Sequence, residues 1–87
     1  MMGMGHFVYI LQSEGNGHYY VGHTVNLEER LTRHNQGRSK YSKRKGPWKL
    51  IYHEVYGSRA EAMRREKEIK RTKCREYIEQ LVRASRV

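Results

Sequence analysis

A short turn between two aromatic and β-branched segments constrains the fold of this chain more than any other feature. The segments FVYIL (7–11) and HYYV (18–21) flank the sequence GNG at positions 15–17. Glycine and asparagine favour the backbone angles of tight hairpin turns, and both flanking segments have high strand propensity. Residues 6–22 are therefore predicted to form a β-hairpin whose strands are mostly buried.

A helix is predicted directly after the hairpin. Asn26 stands where an N-cap residue is expected, with Glu29 three positions further on in a capping-box pattern. Leu27 and Leu31 are four residues apart, so they form one apolar stripe on the helix surface. The helix is predicted to end near Gly37.

The rest of the chain is predicted to add one strand and two helices. The segment WKLIYHEVY (48–56) alternates enough for a strand, and Ser58 with Glu61 forms a capping box that begins a helix. The apolar stripe of this helix consists of Ala62, Met63 and Ile69. Thr72 is predicted to cap the last helix. The order β-β-α-β-α-α predicts an α+β fold, a small three-stranded antiparallel sheet flanked by helices, with residues 1–87 as a single domain.

Charge is distributed unevenly along the chain. Eighteen Lys and Arg residues against nine Glu give a formal net charge of +9, and no Lys or Arg precedes Arg30. Between Arg30 and His53 there are eight basic residues and no acidic one. Such a run is typical of a surface that binds a polyanion, so nucleic acid, with DNA favoured, is the predicted partner. Anionic lipid is the alternative, but the run lacks the long apolar stripe of a membrane-bound amphipathic helix.

The same sequence disfavours several classes of protein. One cysteine, Cys74, forms neither an internal disulfide nor a cysteine-rich zinc site, so a reducing cytoplasm is the predicted location. The apolar run at 7–11 lacks the flanking features of a signal peptide, and no segment is suited to cross a bilayer. The chain contains no Asp, which leaves little material for a nuclease site that holds two metal ions with acidic clusters.

Four elements of the sequence occur in an order that resembles the GIY-YIG nuclease superfamily. They are Tyr9 within VYI, the segment Tyr20-Val21-Gly22, Arg30 within ERLTRH, and Glu66 within RREKEIK. The chain looks most similar to small stand-alone bacterial members and is similar to the nuclease domain of an excinuclease. The resemblance implies a GIY-YIG-like fold and an endonuclease that hydrolyses phosphodiester bonds of DNA with one Mg²⁺ or Mn²⁺ ion. A role in DNA repair or recombination is implied by the same resemblance.

The resemblance also implies roles for individual positions. Tyr9 and Tyr20 match the two motif tyrosines, and Gly22 matches the closing glycine, which is predicted to turn the backbone closely. The other matches are Arg30 for the essential arginine, Glu66 for the metal-binding glutamate, and His34 for a histidine that several members keep. Phe7 and Val8 depart from the glycine and isoleucine of the first motif, and an asparagine near the end of the domain has no clear match.

Glu66 is conspicuous even without the resemblance, because it lies on the predicted apolar stripe of its helix. A carboxylate in that position costs desolvation free energy unless it has a cationic partner. A divalent metal ion and an ion pair with a neighbouring Lys or Arg satisfy this requirement equally well. The resemblance favours the metal ion.

The residue chemistry allows more than one proton acceptor. Tyr9 is predicted to be the general base and Tyr20 to orient water or phosphate, with the two roles exchangeable. A tyrosine base requires a pKa lowered from about 10, whereas His34, with an ordinary pKa near ~6.5, is the rival base. Arg30 has a planar set of donors suited to phosphate, although an arginine on a helix is commonly solvated. His23 is a weaker candidate, whose ring is as readily placed in a turn facing solvent.

The cations at 38–45 are predicted to form an exposed basic loop that contacts backbone phosphates. The predicted nucleic-acid-binding residues are Arg33, Arg38, Lys40, Lys43, Arg44 and Lys45. A non-catalytic module that binds DNA or RNA on the same fold would use these residues equally well, so it stays as the second predicted function. The short chain leaves little surface for substrate selection, which makes a partner protein or a homodimer plausible.

Overall fold

A computed structural model of the chain describes residues 5–36, 47–72 and 74–85. The elements are β1 (His6–Ser13), β2 (Tyr19–Thr24), α1 (Leu27–Asn35), β3 (Trp48–Tyr56), α2 (Arg59–Thr72) and α3 (Arg75–Ala84). The strands form one antiparallel sheet in the order β2-β1-β3, so the predicted α+β arrangement is confirmed. The predicted basic loop at 38–45 lies outside the described residues. In the part that is described, no helix is long and apolar enough to cross a membrane.

The central strand β1 gives the sheet two apolar faces, because side chains alternate along a strand. Val8 and Ile10 pack with residues of α2 and α3 on one face, here called the α2 face. Tyr9 and Leu11 pack on the other, the α1 face, together with Trp48 and the leucines of α1. The four β1 side chains are at most 1% exposed and Trp48 is 3% exposed, so both faces contribute to the core.

The N-terminus of α1 is capped as predicted. The side chain of Asn26 accepts a hydrogen bond from the backbone N–H of Glu29 at 3.0 Å. The backbone N–H of Asn26 donates to Thr24 Oγ1 at 3.1 Å, so the last residue of β2 supplies the second bond of this junction. These bonds satisfy donors that helix geometry leaves free. They also place α1 immediately after the edge strand β2.

The other end of α1 is fixed to β3 by one side chain. Asn35 Nδ2 donates to the carbonyl of Trp48 at 3.0 Å, and the Trp48 N–H donates to Asn35 Oδ1 at 2.6 Å. The amide thus bonds both backbone groups of a single residue, as a neighbouring strand would. The helix ends at Asn35 with Gln36 as its C-cap, two residues before the predicted Gly37, which lies outside the described residues.

Two predictions about α2 and α3 are wrong. Met63 is 38% exposed, because the buried positions of α2 are Ala62 and Ile69 and one further residue turns the helix by about 100° away from that face. Thr72 is the last residue of α2, and its hydroxyl donates to a carbonyl one turn earlier in the same helix at 3.0 Å. Cys74 occupies the N-cap position of α3 without a side-chain capping bond.

A polar network on the α2 face joins β3 to both C-terminal helices. Arg65 donates to both oxygens of Glu54, at 2.9 and 3.1 Å, and to the hydroxyl of Tyr77 at 2.9 Å. The hydroxyls of Tyr52 and Tyr56 donate to the same Glu54 carboxylate. Burial, followed by the bonds to Glu54, raises the pKa of each of these two tyrosines to about 12. Both therefore remain protonated donors, and the network stays complete at neutral pH.

Candidate active site

The first part of the candidate site consists of two tyrosines and a glycine on the α1 face. Tyr9 on β1 is paired with Gly22 on β2, and the Tyr20 ring lies 6.1 Å from the Tyr9 ring between centroids. A Cβ atom on Gly22 would lie 2.7 Å from Tyr9 Oη and 3.1 Å from Tyr20 Cε1. The Tyr9 ring therefore extends across β2 in the space that a side chain at this position would fill.

The role predicted for Gly22, a close turn of the backbone, is wrong. Gly22 lies within the regular strand β2, and the turn of the hairpin uses Gly17, which has a φ of 77°. What the site requires at Gly22 is the absence of a side chain. This requirement was not visible in the sequence, because it depends on the ring of Tyr9, thirteen positions earlier.

Gly22→Ala is expected to lower the free energy of unfolding by roughly 1–3 kcal/mol, because the added methyl overpacks the Tyr9 ring. Urea unfolding measures this loss. Gly57→Ala is the matched control, since the nearest atom to its new Cβ would lie at an ordinary 3.9 Å. Equal losses in the two variants would contradict the contact described for Gly22.

Helix α1 adds Arg30 and His34 to the tyrosines. The two side chains are one helical turn apart and lie on the same side of the helix. His34 is 2% exposed, with its Nε2 3.3 Å from Tyr9 Oη and its ring 4.4 Å from the Tyr20 ring between centroids. The four predicted residues Tyr9, Tyr20, Arg30 and His34 are thus brought into one cluster.

A tyrosine that acts as a general base needs a lowered pKa, and the pKa of Tyr9 is shifted in the opposite direction. Burial, and then the neighbouring Tyr20, raises the pKa of Tyr9 well above its ordinary value, although Arg30 acts in the opposite direction. Burial, followed by the charges of Arg30 and Arg33, lowers the pKa of His34. At neutral pH Tyr9 is protonated and His34 is neutral. In the tautomer of His34 that carries its proton on Nδ1, the Tyr9 hydroxyl donates and Nε2 accepts in the bond between them.

Arg30 is not a solvated surface arginine. Its Nε is buried and has no hydrogen-bond partner among the described residues. A buried donor left in this state costs free energy, which an acceptor supplied from outside would recover. Since the same side chain lies beside the Tyr9 hydroxyl, that acceptor would be held next to the Tyr9 and His34 pair.

Glu66 lies on α2, on the opposite face of the sheet. Its Oε1 is 2.5 Å from His23 Nδ1, its Oε2 is 2.6 Å from Lys70 Nζ, and its side chain is 15% exposed. Burial alone raises the pKa of this carboxyl, but the hydrogen bonds from Lys70 and His23 outweigh burial and hold the pKa below its ordinary value. Glu66 is therefore ionised at neutral pH.

His23 is the residue whose placement the sequence analysis missed. It lies within β2 with its side chain 27% exposed, rather than in a turn facing solvent. The available signal was strand alternation: His23 is an odd number of positions from Tyr20 and next to Gly22, so its side chain points to the α2 face. There it meets Glu66, from 43 residues further along the chain.

The two parts of the site meet at the edge strand β2. Gly22 is covered by Tyr9 on the α1 face, and the next residue, His23, contacts Glu66 on the α2 face. Among the described residues no group of three or more His, Cys or acidic side chains is arranged to hold a metal ion. An ion at Glu66 would therefore take most of its ligands from water and substrate. That is the coordination Mg²⁺ commonly has in proteins, so one ionised carboxylate fits such an ion.

The chain is similar in sequence and in fold to several known proteins. Residues 5–78 match the family model described as the GIY-YIG catalytic domain. A UPF0213 protein of Staphylococcus haemolyticus is 47% identical over 66 residues, which are 75% of this chain and 79% of that protein. A UPF0213 protein of Halalkalibacterium halodurans is 39% identical over 80 residues, 91% of this chain and 83% of that protein. The solution NMR structure of a UPF0213 protein from Bacillus halodurans has a TM-score of 0.58 and 38% identity, and the match covers 93% of this chain and 85% of that one.

Proposed function

Because the chain belongs to the GIY-YIG family, we propose that it is a divalent-metal-dependent endonuclease that hydrolyses phosphodiester bonds of DNA. The observation that carries the proposal is the buried Arg30 Nε, without a partner among the described residues, beside the hydrogen-bonded Tyr9 and His34. A phosphate oxygen supplies the acceptor that this donor lacks, and guanidinium and phosphate groups match in geometry. The phosphate would then lie next to a neutral base.

Hydrolysis requires a water molecule to lose a proton while its oxygen attacks phosphorus and the bond to the leaving oxygen breaks. We assign the proton to His34 through Tyr9: the Tyr9 hydroxyl takes the proton of water and passes its own proton to His34 Nε2. This relay avoids a free tyrosinate, which the raised pKa of Tyr9 disfavours. Arg30 donates to the phosphate and stabilises the charge that develops on it. Tyr20, packed on the His34 ring, orients the water or the phosphate.

Glu66 is the proposed ligand of one Mg²⁺ or Mn²⁺ ion. Its carboxylate is ionised, as a metal ligand must be. When bound, the ion would lower the pKa of a coordinated water and neutralise charge on the phosphate. Both carboxylate oxygens are paired within the protein, so binding requires Lys70 to move aside, and the Lys70 side chain is 53% exposed.

The basic residues are proposed to bind the DNA backbone. Arg33 is on α1, one turn after Glu29, and its Nη2 is 3.8 Å from Glu29 Oε2. Solvent-exposed ion pairs of this type contribute little to stability. It is therefore available to phosphates. The other proposed contacts, Arg38, Lys40, Lys43, Arg44 and Lys45, lie outside the described residues. We also propose that the protein acts in the cytoplasm, in DNA repair or recombination, as a single domain assisted by a partner protein or a second copy.

A second candidate function is a module that binds DNA or RNA without cleaving it. One observation favours it: both oxygens of Glu66 already have partners within the protein, as a purely structural ion pair would. The absence of a clear match for the late asparagine of the family supports it as well. The basic residues serve this function as well as they serve the first.

The proposal is tested by a cleavage panel of duplex, branched, flapped and single-stranded DNA and RNA, incubated with Mg²⁺, with Mn²⁺ or with chelator. Cleavage of at least one DNA substrate is expected with metal and not with chelator. Glu66→Gln, purified in the same way, shows whether the activity belongs to this chain. Binding that falls steeply with salt, without cleavage of any substrate, would support the second function instead.

A further inference from the structure

The carboxylate of Glu66 lies between the imidazole of His23 and the ammonium group of Lys70. These two groups differ in whether they can bind a metal ion. His23 Nδ1 on β2 is 2.5 Å from Oε1, and Lys70 Nζ, one turn along α2, is 2.6 Å from Oε2. The neutral imidazole of a histidine has a nitrogen lone pair that binds metal ions. A protonated lysine has no lone pair and repels a cation. Both contacts stabilise the ionised carboxylate, but only His23 has an atom that can remain when a metal ion arrives.

The distance between His23 and Glu66 is close to what a shared metal ion requires. Metal-to-nitrogen and metal-to-oxygen bonds of about 2.1 Å at a right angle place the two ligand atoms roughly 3.0 Å apart. The present Nδ1 to Oε1 distance is 2.5 Å, so the pair would need to open by about 0.5 Å, with the imidazole turned so that Nδ1 points at the ion. His23 is part of β2 and Glu66 of α2, so these two elements already hold the ligand atoms together.

We propose that His23 is a second protein ligand of the metal ion at Glu66, and that Lys70 competes with that ion. The inference rests on the proposed function for the presence of the ion. With the ion bound, the Nδ1 lone pair of His23 would face the ion, and Nε2 would carry the ring proton. Because a nitrogen ligand suits Mn²⁺ better than Mg²⁺, which prefers oxygen, the site would bind Mn²⁺ more tightly than Mg²⁺.

The two side chains are therefore expected to have opposite effects on metal affinity. Without nucleic acid, Mn²⁺ binding is measured by the loss of the free-ion EPR signal, and Mg²⁺ binding by competition. We expect His23→Gln to weaken Mn²⁺ binding by about 10–100-fold or more, the range for loss of a supporting group at a metal site. The preference for Mn²⁺ over Mg²⁺ should fall in the same variant. Lys70→Gln should strengthen the binding of both ions, and Glu66→Gln should abolish it.

NMR of the His23 ring distinguishes a metal ligand from a residue that only supports the structure around Glu66. Adding Zn²⁺ as a diamagnetic probe is expected to shift the ¹⁵N signal of His23 Nδ1, but not those of His18, an exposed histidine of the hairpin. His18→Gln is the matched control and should bind Mn²⁺ like the wild type. Far-UV circular dichroism confirms that each variant is folded.

Unchanged Mn²⁺ affinity in His23→Gln, or an unshifted His23 Nδ1 signal, would overturn the inference while leaving Glu66 as the metal ligand of the proposed nuclease. Absence of Mn²⁺ and Zn²⁺ binding by the wild type would overturn it too. A wild-type protein that binds Mn²⁺ through both residues yet cleaves nothing would refute the proposed function and uphold the His23 ligand.

Discussion

Arg30→Ala is expected to lower the rate of DNA cleavage by about 10²–10³-fold, the usual loss when one donor to a developing oxyanion is removed. The buried Nε of Arg30 lacks a partner among the described residues, and in the proposed reaction a phosphate oxygen of the substrate would supply its acceptor. The loss should therefore appear in the rate at saturating DNA, measured in single-turnover experiments. Arg30→Lys should recover little, because a lysine keeps the charge but not the planar fork of donors.

The stability of the Arg30→Ala protein separates this role from a structural one. The variant loses the contact of Arg30 with the Tyr9 hydroxyl, which costs the fold about 1 kcal/mol, so the midpoint of thermal unfolding should fall only slightly below that of the wild type. Arg64→Ala is the matched control, since Arg64 is an exposed arginine of α2 outside the site. Cleavage by Arg30→Ala at the wild-type rate would refute the proposed contact with phosphate.

The largest expected effect on stability comes from the polar network on the α2 face. Glu54→Leu is expected to lower the free energy of unfolding by on the order of 3 kcal/mol, because it leaves the partly buried Arg65 without its main counter-charge. The side chains of Glu54 and Arg65 are 18% and 19% exposed, so both partners of the ion pair are largely removed from water. The hydroxyls of Tyr52 and Tyr56 lose their acceptor in the same variant. Urea unfolding at constant salt measures the loss.

A double-mutant cycle shows whether the ion pair causes that loss. Glu54→Leu combined with Arg65→Met should cost less than the sum of the two single changes, since neither charge is then left alone. Glu68→Ala removes an exposed partner of the same arginine and should cost less than about 1 kcal/mol. Strict additivity in the cycle would show that Glu54 and Arg65 do not stabilise each other.

The stabilising contribution of Glu54 also depends on pH. Burial alone raises the pKa of Glu54, but the bonds from Arg65 and the two tyrosines hold it below the ordinary 4.5. The unfolded chain then binds the proton more readily than the folded one. The contribution is complete above pH 4.5 and decreases as the pH falls toward the lower pKa of the folded state. In Glu54→Leu this part of the acid sensitivity should be absent.

Local patterns in the sequence predicted the elements of this fold well, because each pattern has a local cause. The GNG turn between two strand-forming segments and the caps at Asn26 and Ser58 act over a few residues, and both caps are formed in the structure. Met63 and Thr72 were predicted wrongly because which side of α2 is buried, and where it ends, depend on the sheet it packs against. The family that the motifs indicated is confirmed.

The candidate site was only partly predictable for a related reason. The spacing of Arg30 and His34 on one helix places them on one face from sequence alone. The protonation of Tyr9 depends on burial under a helix that begins 18 positions later in the chain, so the sequence left the choice of base open. The pairing of His23 with Glu66 joins a strand to a helix 43 residues away, and no local pattern encodes it.

The two hydrogen bonds between Asn35 and Trp48 allow the segment between α1 and β3 to change in length at little cost. The entropy lost on closing a chain segment grows only with the logarithm of its length, about 0.6 kcal/mol for each doubling. Because one amide ties the last residue of α1 to the first of β3, residues inserted between them add little to that cost. The most basic part of the sequence can therefore lengthen or shorten while Tyr9, Tyr20, Arg30 and His34 keep their places. The proposed reach along nucleic acid can thus vary without a change in the geometry of the candidate site.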